Sequence, residues 1–527
     1  MTEPNPRDVV STTVTTITPQ AVRPRIDTVD PRTMAVTGSV PDQGAAEVVA
    51  AIGRARAAAA GWSTLTYRER AAHLVRVRDV LLDRADDLVA TICAETGKLE
   101  AEAVTTEVMA VCELIGYYTR HGEASLRPEK VPVGTLAHKR AFKVWEPYGV
   151  VGVISPWNYP FSLSMTPLLT ALFAGNTVVL KPSEVTPLVG LAAGALFADA
   201  GAHPDIVQVV TGGGATGEAL VRGGVDKVTF TGSVATGRRV MAAAADTLTP
   251  VVLELGGKDP MVVCADADLD RAARGAVWGA FQNAGQTCIS VERVYVAAAV
   301  HDTFVEKVLG LTAAIRQGSG PGHDIGSMTF PPQLEVVESH LADAVARGAR
   351  VRAGGTRVAG RDGLWFAPTV VTGCDHTMAL LRDETFGPVL PIVAVADDAE
   401  AVRLANDSEY GLNSSVWTRD LGHGTRLAAR LVAGNVCVND VLVSYAVPGL
   451  PFGGVKSSGI GRVHGPEGLR EMSQVKSVLV DRFGWGREAW WFPVPGALAG
   501  VGVRYLRVRY RTGARSKLRG LLGRGGR

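Results

Sequence analysis

The amino-acid sequence predicts an α/β fold built from two parallel-sheet domains and a β-hairpin arm. Three observations point there. Short apolar runs alternate with helix-length stretches through the middle of the chain, the pattern of strands joined by crossover helices. A second alternating series begins near Pro260, after the first has ended. Pro128–Val144 interrupts the helical pattern with a short, turn-punctuated, β-like stretch that reads as a hairpin. With 527 residues and 46% apolar content, the chain exceeds one core and can fill two or three.

Taken in order, Met1 to about Gln20 is rich in Thr, Ser and Pro and lacks an apolar stretch, which predicts a disordered leader over 1–27 rather than a secretory signal. Ala45–Trp62 and Arg68–Glu95 are Ala/Leu-rich and helical in pattern, and Glu100–Tyr118 continues that block. Gly149–Ile154, Thr177–Leu180, Ile206–Val210 and Val225–Phe230 are short apolar runs with helical stretches between them. They predict the first sheet. Pro260–Val263, Ile392–Ala396 and Asn435–Asn439 predict strands of the second.

Charge is near balance overall, at +2, which gives no argument for nucleic acid as a partner. It is unevenly placed. From Arg482 to Arg527 eleven Lys or Arg face one acidic residue, Glu488, so this tail carries about +10 and the rest about −8. Trp485, Trp490, Trp491 and Phe492 precede a stretch in which Leu498, Val501, Tyr505 and Val508 share one helical face, with Arg504, Arg507 and Arg511 beside it. Those are ingredients of membrane-surface contact through 482–527. A solvated tail and packing along a neighbouring subunit are the competing readings. No run reaches the roughly 18 apolar residues of a membrane span. Six scattered cysteines suit free thiols in a reducing compartment, so a cytoplasmic protein is expected, with a peripheral place at the inner membrane surface if the tail binds lipid.

Two stretches carry the chemistry, Leu253-Glu254-Leu255-Gly256-Gly257-Lys258 and Gly285-Gln286-Thr287-Cys288. A lone cysteine with no CxxC partner can serve as a nucleophile, and a carboxylate can activate the water that clears a thioester. Val228-Thr229-Phe230-Thr231-Gly232-Ser233 ends a strand and opens a helix, with Gly237 at GxxxxG spacing. Such a helix N-terminus suits a phosphate, although an ordinary turn fits equally well. Lys181-Pro182-Ser183-Glu184 follows a strand, at the edge where open α/β sheets bind ligands. Glu184 would accept bonds from a ribose and repel a 2′-phosphate, which favours NAD+ over NADP+. A surface salt pair is the alternative.

Together with Pro156-Trp157-Asn158-Tyr159-Pro160, Glu384-Thr385-Phe386-Gly387-Pro388 and Pro451-Phe452-Gly453-Gly454, these motifs resemble the aldehyde dehydrogenase superfamily, in its order, from about Thr28 to Val480. The resemblance implies two Rossmann-like domains, a bridging hairpin and oxidation of an aldehyde with NAD(P)+. It implies Cys288 as nucleophile, Glu254 as the base for water, and Asn158 with the Cys288 N–H as oxyanion hole. It further implies Lys181, Pro182, Ser183 and Glu184 at the adenosine ribose and Gly232 and Ser233 at the pyrophosphate. Trp157, Asn158, Leu255, Glu384 and Phe386 would line the nicotinamide end. Glu254 also points to water rather than coenzyme A as acyl acceptor. The implied domains are 28–127 with 145–256 for the dinucleotide, 128–144 with 471–482 for an oligomerisation arm, 257–453 for catalysis, 454–470 as a return segment and 483–527 as the tail. A homodimer or homotetramer is the implied assembly.

Asn283–Val296 and Gly461–Gly468 are most similar to a bacterial subgroup labelled succinate-semialdehyde dehydrogenase. The arginines that better-established members use for a carboxylate fall here at Thr166 and Gln282, and neither supplies charge. Tyr159, Phe161, Leu163, Met165, Leu169 and Phe281 make the neighbourhood apolar, which suits an aliphatic or aromatic aldehyde. Core packing is the other fate open to each. Succinate semialdehyde is the second substrate, and a non-catalytic binding or structural protein on the same fold is the rival of another class.

Overall fold

A computed structural model of the chain describes residues 24–513 and 517; most of the expected leader and the end of the basic tail lie outside those residues. The chain divides into two compact units, one of residues 1–127 with 145–475, the other of residues 128–144 with 476–527.

The first unit holds both expected parallel sheets. Strands Val207–Val209, Thr177–Lys181, Val150–Ile154, Lys227–Thr231 and Val251–Glu254 lie side by side and parallel, and Gly459–Ile460 adds an antiparallel edge. Val150–Ile154 is buried along its whole length, which is why it reads as an unbroken apolar run: helices cover both faces. From Val150–Ile154 the chain builds outward to one side, then returns with Lys227–Thr231 on the other. This reversal of strand order opens a crevice above the carboxyl ends of those two strands, where Pro156–Asn158 and Gly232–Ser233 emerge.

The second sheet has seven strands in the order 350–353, 369–372, 389–395, 291–297, 259–263, 413–417, 435–438, parallel except for the antiparallel edge at 350–353. Its apolar core packs Met261, Val294 and Ile392 against helix Leu269–Phe281 and its neighbours. In the second unit, Glu129–Val131 pairs antiparallel with Lys139–Pro147, and Ser473–Asp481 lies on the far side of that strand.

Three expectations need correction. The leader ends before residue 27: Arg25–Asp30 pairs with Ala35–Pro41, with Ile26 opposite Val40 and Thr28 buried. Arg68–Glu95 is two helices, Tyr67–Asp83 and Ala85–Thr96, broken at Arg84. The bend lets Leu74, Val77 and Leu81 before it, and Leu88 and Ile92 after it, reach the same core. The first of these helices starts at a capping box in which Thr66 takes the Glu69 N–H and Glu69 takes the Thr66 N–H. Glu100–Tyr118 is not uniformly helical. Glu100–Glu102 leads into a π-helical turn at Ala103–Val108, which continues as helix Met109–Ser125. The wider turn rotates Glu107 inward to full burial.

Candidate active site

Cys288 sits in a turn after helix Leu269–Phe281, reached through a tight loop. Asn283, Ala284 and Gly285 take left-handed backbone angles in succession, with φ of 52°, 54° and 75°. A side chain at Gly285 would meet the Gly387 carbonyl at 2.1 Å, so only glycine fits that approach. The two non-glycine residues are strained, and side-chain bonds hold them there. Glu102 accepts the Asn283 N–H at 2.8 Å, and Gln286 ties the loop to Thr329 through the Thr329 N–H.

Three cavities meet at Cys288. One, of about 140 Å³, is lined by Tyr159, Leu163, Trp278, Ile289, Leu442 and Tyr445 among others and carries no charged side chain. It shares Thr105, Thr106, Trp278 and Gln282 with an outer cavity of about 360 Å³ that reaches Arg274. The second is a cleft of about 110 Å³ between Trp157, Gly232, Ser233, Leu255, Glu384 and Phe386. The third is small, and Thr166, Tyr445 and Glu254 line it. Cys288 and Leu163 border all three, so one thiol faces an apolar chamber on one side and the cleft on the other.

Burial pushes the Cys288 thiol well above its usual range, reinforced by the charges of Asp259, Glu384 and Glu254, while its own backbone N–H works weakly the other way. Glu254 ends strand Val251–Glu254, and neither of its buried carboxylate oxygens has a hydrogen-bond partner. Burial therefore raises its pKa strongly, against the opposing charge of Arg462. A carboxyl held in that state can take a proton near neutral pH.

Asn158 follows strand Val150–Ile154, and its amide donates to the Gln286 carbonyl at 2.9 Å, beside the Cys288 turn. Its own carbonyl accepts from Lys98 Nζ at 2.9 Å and from Asn283 Nδ2 at 3.0 Å. Lys98 is paired with Glu107 at 2.5 Å, both side chains fully buried. Glu107 in turn accepts the N–H groups of Phe161 and Ser162 at 2.7 and 3.1 Å. The sequence reading missed Lys98, Glu102 and Glu107. They lie in segments remote from every motif, and a charged residue in a helical block ordinarily reads as solvated.

The cleft is lined by backbone donors and carboxylate acceptors. Ser233 caps helix Val234–Ala245 by accepting the Thr236 N–H, which leaves the first-turn N–H groups at the crevice without helical partners. Glu384 accepts the Gly257 N–H at 3.0 Å, and burial pushes its pKa up to about 8, with the Glu292 charge adding to the effect. A Cβ at Gly256 would come within 2.2 Å of that carboxylate, so the glycine lets Glu384 stand at the cleft. Buried Glu292 takes the N–H groups of Thr385 and Phe386 and pairs with Lys258, holding Phe386 edge-on to Trp157, centroids 5.5 Å apart. Lys181 bonds Glu184 at 2.9 Å; desolvation acts to raise the exposed Glu184, but the Lys181 charge and bond prevail and hold it low. Ser183 accepts the Val185 N–H, and the Pro182 ring fills the space beside Gly190, so both shape this turn.

The expected substrate residues divide. Tyr159 and Gln282 line the apolar cavity, joined by a 3.1 Å bond from the Gln282 amide to the Tyr159 hydroxyl. Thr166 lines the small cavity beside Glu254, and Phe281 lines the outer one. Phe161, Met165 and Leu169 are a correction. They are fully buried in the core, Phe161 just before helix Ser162–Ala174 and Met165 and Leu169 on it. Thr105, Trp278, Leu442 and Tyr445 take their place, contributed by a π-helical turn, a helix and a loop whose convergence no linear spacing signals.

Comparison with known proteins agrees with this geometry. Residues 17–478 match the aldehyde dehydrogenase family. The 4,4'-diapolycopene aldehyde oxidase of a Methylomonas species is 46% identical over 442 residues, 84% of this chain and 83% of that protein. A Mycolicibacterium smegmatis protein provisionally named succinate-semialdehyde dehydrogenase NADP(+) is 40% identical across 84% of this chain and 86% of its own. The crystal structure of Mycobacterium tuberculosis aldehyde dehydrogenase complexed with NAD+ superposes with a TM-score of 0.83 at 36% identity, covering 88% of this chain and 95% of that one.

Proposed function

The chain belongs to the aldehyde dehydrogenase family, and on that premise we propose that it oxidises lipophilic aldehydes to carboxylic acids with NAD(P)+, releasing the acid by hydrolysis. The observation that carries the substrate class is the chamber at Cys288, which presents only apolar and uncharged side chains. Such a chamber suits an apolar aldehyde. The relative named for 4,4'-diapolycopene aldehyde supports the same class.

In this reading Cys288 Sγ adds to the aldehyde carbon, and the oxygen that gains charge lies toward the Asn158 amide and the Cys288 N–H. A dinucleotide bound in the cleft would supply the acceptor for the hydrogen and electron pair that leave that carbon; Glu184 and Lys181 would hold its adenosine ribose, the helix after Ser233 its diphosphate, and Glu384 and Phe386 its nicotinamide end. Glu254 then takes a proton from water as the oxygen attacks the thioester on Cys288, and the thiol is restored. The Glu184 carboxylate favours NAD+ over NADP+. Glu184→Ala is expected to narrow that preference about tenfold, as the removal of one charge repulsion would.

A second substrate, succinate semialdehyde, draws on the name of the 40% identical relative, although Arg274 at the outer cavity shares that lining with Glu102 and Asp324. The deciding experiment compares kcat/KM for hexanal, decanal, benzaldehyde and succinate semialdehyde with each cofactor. A preference for succinate semialdehyde would overturn the lipophilic reading, and no NADH from any aldehyde would favour a non-catalytic protein. Self-association through the arm is part of the proposal: Ser473–Asp481 is a sheet edge with exposed Val475, Leu479 and Val480.

A further inference from the structure

Residues 483–513 place aromatic, aliphatic and basic side chains on one solvent-facing segment. Phe483, Trp485, Trp491 and Phe492 are all more than half exposed, Phe492 at 91%. Helix Leu498–Tyr510 has no buried residue. Val503, Leu506 and Tyr510, spaced three and four residues apart, form an exposed apolar stripe. Of the expected stripe, Val501 and Tyr505 are exposed as well, while Leu498 and Val508 are half-buried.

The only acidic residue from Arg482 to the C-terminus, Glu488, is withdrawn from that surface. It is 5% exposed and paired with Lys139 and with His138 at 3.1 Å, while Trp485 stacks on His138. What remains outward is apolar and cationic: Arg487, Arg504, Arg509 and Arg511 are exposed, and Arg507 is partly so.

We propose that residues 483–513 are a docking surface for an anionic lipid bilayer. Exposed Trp and Phe suit the headgroup boundary, and the arginines complement anionic lipid. A nucleic acid would use the arginines and could stack on the tryptophans, but aliphatic Val503 and Leu506 offer it nothing. No helix among the described residues is long and apolar enough to cross a membrane, so the contact is at the surface. The inference goes beyond the aldehyde reading and is tested without aldehyde or cofactor.

The test is sedimentation of the full chain with vesicles of phosphatidylcholine alone or mixed with phosphatidylglycerol. Binding is expected to the mixed vesicles, to weaken with salt, and to fall roughly a hundredfold in Arg504→Gln/Arg507→Gln/Arg511→Gln, at about fivefold per charge. Trp491→Ala/Phe492→Ala is expected to weaken it about tenfold or more. Far-ultraviolet circular dichroism and the thermal unfolding midpoint check that the variants fold. Equal binding to neutral vesicles, unchanged binding by both variants, or preference for a soluble duplex over mixed vesicles would overturn the proposal. So would a changed oligomeric state in the variants with vesicle binding intact, which would assign the face to a second copy of the chain.

Discussion

Lys98 donates to the backbone carbonyl of Asn158 at 2.9 Å while its charge is satisfied by Glu107, so a buried ion pair holds the residue that faces the Cys288 turn. The pair is worth more as a positioning device than as a source of stability, because two desolvated charges largely cancel the gain from their attraction. Glu107 extends the arrangement by gripping the first N–H groups of helix Ser162–Ala174, whose preceding residue, Phe161, it also holds.

Removing one charge leaves the other buried alone. Lys98→Met is expected to cost about 3–5 kcal/mol of stability, and Lys98→Met/Glu107→Gln distinctly less. Denaturant unfolding of both variants measures the difference, and kcat for hexanal is expected to fall more than KM rises in the double variant. A double variant as unstable as the single one would show that the charges do not act as a pair.

The Cys288 thiol is raised by burial and by surrounding carboxylates, so its reactive thiolate is scarce at neutral pH. Alkylation by iodoacetamide without cofactor is expected to be slow at pH 7 and to quicken about tenfold per pH unit toward pH 9, far below the thiol's pKa. Cys288→Ser separates this thiol from the other five and is expected to lose more than about 10³-fold in kcat while still binding NAD+. A flat alkylation profile from pH 6 would contradict the raised thiol.

Glu254 carries a linked prediction for stability. Its folded pKa lies above the unfolded value of 4.5. Above that pH the unfolded chain gives up a proton the native state keeps, so its contribution to stability falls as pH rises until the folded pKa is passed. Glu254→Gln removes this slope. The variant is expected to match the parent near pH 4 and to exceed it by on the order of 1 kcal/mol or more at pH 8. Thermal unfolding across that range checks it, and stopped-flow NADH traces should show a burst followed by slow turnover. A parent-to-variant difference independent of pH would rule out the buried, proton-holding carboxyl.

Gln282 is the place to change substrate class, since it lines the apolar cavity and lies at a shared wall with the outer one. Gln282→Arg is expected to shift the kcat/KM ratio of succinate semialdehyde to hexanal by roughly 10–100-fold, the worth of a charge-assisted bond. No shift would mean that the carboxylate end of such a substrate does not pass this residue.

Much of the fold was legible because its signals are local. A fully buried parallel strand such as Val150–Ile154 must be apolar throughout. The break at Arg84 was not legible, because both flanking stretches favour helix and only shared packing of Leu81 and Leu88 requires the bend. That Trp157, Gly232, Glu384 and Phe386 line one cleft was largely legible, since each sits inside a short motif. The substrate chamber was not. Helix Ser162–Ala174 is buried nearly all round, with Ser and Thr among its apolar residues, so its sequence could not say that Leu163 faces the chamber while Met165 and Leu169 face the core.

The sequence by itself determined the α/β architecture, the family and the two reactive candidates, Cys288 and Glu254. These depend on short contiguous patterns that local backbone geometry and pocket chemistry impose. Only the tertiary structure decided the electrostatic state and support of those residues. The unpartnered carboxylate of Glu254, the inward turn of Glu107 and the hold of Lys98 on Asn158 arise from burial and from contacts between distant segments. Desolvation and through-space charge depend on what surrounds a side chain in three dimensions, and linear spacing carries no measure of that.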